Sequence, residues 1–153
     1  MRRSILLLIL GLTGCAQTTT SGGSFGAGNQ PAGAQQAYFE GYPAGLFFAA
    51  GAVCDGPGQN VVRPDENEVR CESLPDPQTA AALILQFDGT VEDLPRFVIA
   101  FSGLEDTAGY LVTADSYIRV PLRDGGAQQV RFPDERIEAE LSRLLADAGG
   151  APL

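Results

Sequence analysis

The sequence predicts an α+β fold: a small antiparallel sheet of three to five strands, with a C-terminal amphipathic helix and one or two further helices packed on it. Three observations carry this expectation. Arg96 to Ser102 is apolar on both alternating faces and reads as a central strand; Asp124-Gly125, a strong hairpin signal, separates two alternating segments; and Ile137, Leu141, Leu144, Leu145 and Ala148 fall on one helical stripe near the end. The 153 residues, 44% of them apolar, suit a single domain with one modest core.

The elements follow in order. Residues 16–36, AQTTTSGGSFGAGNQPAGAQQ, hold one aromatic residue and no charge, and read as a flexible tether with an r.m.s. reach of about 25 Å. Periodicity begins at Ala37, which places the globular domain at residues 37–153. Leu46, Ala49, Ala50 and Val53 are spaced for a helix with Pro43 in its first turn, although Gly45 and Gly51 weaken it and a buried strand fits the same run. Asp55-Gly-Pro-Gly58 is turn chemistry, and Val61–Arg63 and Val69–Glu72 read as short strands or extended arms around Pro64 to Asn67. Asp76 as N-cap and Pro77 at the first position open a helix through Gln86, which Asp88-Gly89 closes. After the central strand, Gly109–Thr113, Ser116–Leu122 and Ala127–Phe132 alternate as strands. Pro133 and Asp134 start the last helix and Gly149 ends it at the C′ position, with Arg136 and Glu140 facing outward one turn apart.

Composition closes most catalytic routes. The chain has no His, no Lys and no Trp, so every one of its ten basic residues is Arg. It therefore lacks the side chains for a Ser/His/Asp or Cys/His nucleophile, a Schiff base, a phosphate-loop lysine or a histidine metal site. Nineteen acidic residues give a net charge of −9, which argues against a nucleic-acid partner. No cofactor is implied.

The first fifteen residues carry the strongest motif. Met1-Arg2-Arg3-Ser4 is a short positive segment, Ile5 to Leu12 is apolar apart from Gly11, and Leu12-Thr13-Gly14-Cys15 follows. This resembles a secretory signal peptide, too short to span a bilayer, that ends in the lipobox of bacterial lipoproteins. The resemblance implies removal of residues 1–14 and lipidation of Cys15, so that the membrane is a partner through the acyl chains. Ala16 stands where Asp often marks inner-membrane retention, which implies an outer-membrane position facing the periplasm. Lipidation of Cys15 leaves Cys54 and Cys71, an even pair that an exported chain can join as a disulfide; two buried thiols are the alternative.

Candidate sites are few. Asp65-Glu66-Asn67-Glu68 offers alternating oxygen ligands like half a calcium loop, but Val69 and Arg70 stand where a third ligand and Gly belong. Asp106-Thr107-Ala108-Gly109 resembles the Asp-Thr-Gly of dimeric aspartic proteases, with Ala in the third position and none of the flanking strand pattern. The pairs Glu92-Asp93 and Glu105-Asp106 could serve as a hydrolase's two carboxylates. Ser102 and Ser116 have no base. The face expected to carry Tyr117, Arg119 and Arg131 on neighbouring strands is rich in interface residue types and suits a carboxylate or phosphate; alternatively its Arg residues are balanced by local acids. These readings favour a non-enzymatic, membrane-anchored lipoprotein facing the periplasm, a protein-interaction or envelope-structural module that contacts an unknown envelope protein. The alternatives are a small-ligand or lipid-binding module and a carboxylate-dependent hydrolase. A deep apolar cavity between sheet and helices favours the ligand reading, and a solid core with an exposed Tyr/Arg face favours the interaction reading.

Overall fold

The computed structural model describes residues 30–153. The signal peptide, Cys15 and most of the tether lie outside the described residues. In chain order the elements are β1 (Gln35–Phe39), α1 (Ala44–Ala52), β2 (Gln59–Asp65), β3 (Glu68–Ser73), α2 (Pro77–Gln86), β4 (Arg96–Asp106), β5 (Gly109–Pro121), β6 (Ala127–Val130), α3 (Glu135–Asp147) and β7 (Ala151–Pro152). The fold is α+β, and its antiparallel sheet has seven strands where three to five were expected. Two strands account for much of the difference. The domain begins earlier than Ala37, because Gln35 and Gln36 already pair with Ala114 and Thr113 and Ala34 is buried. The C-terminal Ala151 and Pro152 pair on the outer side of β1.

The sheet runs β2-β3-β4-β5-β1-β7, and β6 shares the β1 side of β5. This is possible because β5 is a single thirteen-residue strand rather than the two expected; its first part pairs with β1 and its last part with β6. Side chains alternate between faces along each strand. On one face Val69, Phe101, Val112 and Ala114 pack with Leu46 and Phe47 of α1 and Leu141 and Leu145 of α3. Further along the same face Ile118 and Val120 pack with Leu83 of α2. All three helices thus cover one side, in two separate clusters.

Local chemistry fixes the helix ends. Asp134 accepts from the backbone N–H of Arg136 at 2.9 Å, and Asp76 from those of Gln78 and Thr79 at 3.0 and 3.1 Å. Hydrogen bonds from the Thr79 hydroxyl and backbone hold the Asp76 carboxyl below its ordinary value. At the end of α3, Gly149 takes φ +91° while its N–H donates to Ala146 and that of Gly150 to Leu145, a Schellman closure. Asp88 fills the same role after α2 at φ +53°, with Gly89 N–H donating to Ile84.

Candidate functional site

The helix-covered face is not fully covered. Between α1 and α3 lies an apolar cleft of about 560 Å³. Cys71, Ile99 and Phe101 form its floor, Ala49 and Val53 one wall, and Ile137 and Leu144 the other. A second recess of about 360 Å³ around Phe97 and Phe132 shares Ile99 and Ile137 with it, so the two form one trough across the middle of the sheet. Phe97 and Ile99, on the strand expected to be most buried, are 43% and 42% exposed. The cause is the split between helix clusters: α2 packs beyond Phe97, and α1 and α3 pack over Phe101, leaving the floor between them open.

Two features hold the α1 wall in place. Cys54, just past the helix, forms a disulfide with Cys71 on the floor, with Cα atoms 5.6 Å apart. Arg63 Nη2 donates to the carbonyl oxygen of Phe47 at 3.3 Å, passing so close to Gly51 that a Cβ there would lie 2.2 Å from it. The glycine that weakens the helix as a sequence therefore admits the arginine that anchors it. At the other end of α1, Tyr42 stacks on Phe47 with ring centroids 5.4 Å apart.

The rim is polar and asymmetric. Arg136 and Glu140 border the cleft near the start of α3, while Glu40 and Asp147 border an adjoining depression near its end. Glu140 is paired with Arg143 at 2.5 Å. Among the described residues Arg136 forms no ion pair, although six other arginines do.

The opposite face differs from the open Tyr117/Arg119/Arg131 surface expected. These three residues do share a side, since Arg119 lies across from Gln129 and Ile118 from Val130. Tyr117, however, is only 7% exposed, packed with Val98 and Ala100. Arg131 lies over the Tyr117 ring, 5.3 Å from its centroid, and grips Asp115 at 2.6 and 3.3 Å. Arg119 pairs with Asp93 at 3.1 Å, Arg70 with Glu68 at 2.6 Å and Arg96 with Glu72 at 3.6 Å. Each of these arginines is balanced by an acid, and the pairing separates Arg96 and Arg119, which stand opposite each other on β4 and β5: Arg96 turns to Glu72 on β3 and Arg119 to Asp93 in the loop before β4. Burial pushes the Tyr117 phenol up, outweighing the opposing effect of Arg70.

No protein-family model, curated protein or solved structure matches this chain.

The other sequence candidates are parts of turns or pairs. Asp65 accepts from the Asn67 N–H at 2.7 Å and Asn67 Oδ1 from the Tyr110 hydroxyl at 3.2 Å, within the β2–β3 turn. Asp106 accepts from the Ala108 N–H at 2.9 Å in the β4–β5 turn. The Thr90 hydroxyl donates to Glu92, whose carboxyl is held below its ordinary value mainly by that bond. Among the described residues no three His, Cys, Asp or Glu gather in a metal-holding group. The trough was not legible as a site: its residues read in sequence as ordinary core, and only the placement of the helices leaves them open.

Proposed function

We propose that the protein is a non-enzymatic lipoprotein of the bacterial envelope, anchored through Cys15 at the outer membrane facing the periplasm, and that its domain binds an elongated apolar molecule in the trough. The anchor rests on Leu12-Thr13-Gly14-Cys15 and the positive, apolar segment before it. The binding role rests on one observation, the open apolar floor at Phe97 and Ile99. Exposed contiguous apolar surface of this kind marks a binding site, and the cleft volume lies within the range of small-molecule sites. The absence of His and Lys supports a non-catalytic role. An envelope-protein partner at Arg119 and Arg131 has less support, because those guanidinium groups are already engaged.

Two measurements test the two halves. Mass spectrometry of the mature protein is expected to find an acylated N-terminus at Cys15; an unacylated start elsewhere overturns the anchor. A neutral apolar dye such as Nile red is expected to bind the protein, and Ile99→Gln to abolish binding with little loss of stability, since the side chain is already half in water. Dye binding that is absent, or unchanged in Ile99→Gln, overturns the trough as the site.

A further inference from the structure

We infer that the occupant of the trough is a fatty-acid anion, a single alkyl chain bearing one negative charge, bound with its carboxylate at Arg136. This deepens the apolar-ligand reading and rests on it. Size comes first. Benzene fills an engineered apolar cavity of about 150 Å³, or about 25 Å³ per carbon, so a cleft of about 560 Å³ takes roughly 20 carbons. Within the cleft that is the size of one acyl chain.

Charge then orients it. Along α3 the cleft runs from Arg136 to Leu144, about 12 Å at 1.5 Å per residue. Arg136 borders it near one end beside Glu140, whose carboxylate is already paired with Arg143, and Glu40 and Asp147 border the depression that adjoins the other end. In a chain where acids outnumber arginines nineteen to ten, every other described arginine has an acid or, for Arg63, a carbonyl oxygen as partner. Arg136 alone borders the cleft with its five donors uncommitted, in the planar geometry that matches a carboxylate. Glu135, Glu138 and Glu140 on the same helix repel a second negative charge, which favours a monoanion over a phosphate head.

The experiment is calorimetric titration of the mature chain, residues 15–153, carrying Cys15→Ser, so that neither the signal segment nor an acyl group of its own competes. The probes are dodecanoate, dodecanol and dodecyltrimethylammonium, each below its micelle concentration. Dodecanoate is expected to bind about tenfold or more tightly than dodecanol, the scale of a charge-assisted hydrogen bond. Arg136→Gln is expected to bring dodecanoate down to the dodecanol level and leave dodecanol unchanged, with Arg136→Lys retaining part of the difference. Equal affinities for dodecanoate and dodecanol overturn the carboxylate site while leaving the apolar trough standing. A preference for dodecyltrimethylammonium places the head at Glu40 and Asp147 and overturns it too. Binding of none of the three overturns the apolar-ligand reading itself.

Discussion

Truncating Arg131 to Ala is expected to destabilise the fold by about 2–3 kcal/mol, whereas truncating Arg119 costs less than about 1 kcal/mol. The difference follows from how much water reaches each pair. The side chain of Asp115 is 11% exposed and that of Arg131 23%, with two contacts between them. Arg131 also donates to Gln129 Oε1 at 2.9 Å. Removing it leaves a buried carboxylate without its cation, which costs about 3–5 kcal/mol for a fully buried pair; partial access of water to the vacated site lowers this. Arg119 and Asp93 are 33% and 48% exposed, so solvent already screens them. Urea unfolding of the two single variants gives the comparison, and a melting point about 10 °C lower for Arg131→Ala is the thermal equivalent. The double variant Asp115→Ala with Arg131→Ala removes both charges and is expected to recover at least half of the loss. Arg131→Ala within about 0.5 kcal/mol of the parent, or a double variant no better than the single, would refute the buried pair.

Two further expectations concern covalent and proton linkage. Replacing Cys54 and Cys71 by Ala, or reducing the bond, is expected to cost about 3 kcal/mol for a loop of 17 positions and to weaken dye binding by freeing the α1 wall; equal urea midpoints for the oxidised and reduced protein contradict it. Burial raises the phenols of Tyr38, Tyr110 and Tyr117 above the ordinary value of 10.0, with Asp106 adding to it for Tyr38 and Glu105 for Tyr110. Because the folded state favours the neutral form, this stabilisation is fully present below pH 10.0 and is lost as pH rises through the raised values. Ultraviolet titration should therefore show tyrosinate forming late, with the urea midpoint falling as it forms; a single titration at the ordinary value, with no fall in stability, contradicts the burial.

Elements with a local signal were readable before any coordinates. Asp134, the Ile137-to-Ala148 stripe and Gly149 specify α3 within its own residues, and Asp76-Pro77 and Asp88-Gly89 do so for α2. The first and last strands were not readable, because their partners lie far away in sequence: Gln35-Gln36 continues a glutamine- and glycine-rich stretch, and Ala151-Pro152 is too short to show alternation. Asp115 made β5 read as two strands, since a carboxylate in the middle of a strand is tolerable only with Arg131 beside it. The same distance effect hid the trough. Phe97 and Ile99 carry the pattern of a core strand, and nothing local records that the helices part above them.

The pairing of β1 with both β5 and β7 bears on how the chain is delivered. Leu153 N–H donates to the Gln36 carbonyl at 3.1 Å, so residues far apart in sequence close onto each other at β1. In any process that releases the chain N-terminus first, from a ribosome or through a membrane pore, Ala37 and Phe39 wait without partners until residues 109–114 follow, and the outer side of β1 stays unpaired until Ala151 and Pro152 follow. Such late long-range closure makes for slow folding and a long interval of exposed apolar strand. A C-terminal affinity tag would load the seam itself. The closeness of Gln36 and Leu153 instead suits a circular permutant of residues 30–153, with its new termini at the exposed Asp124-Gly125 turn.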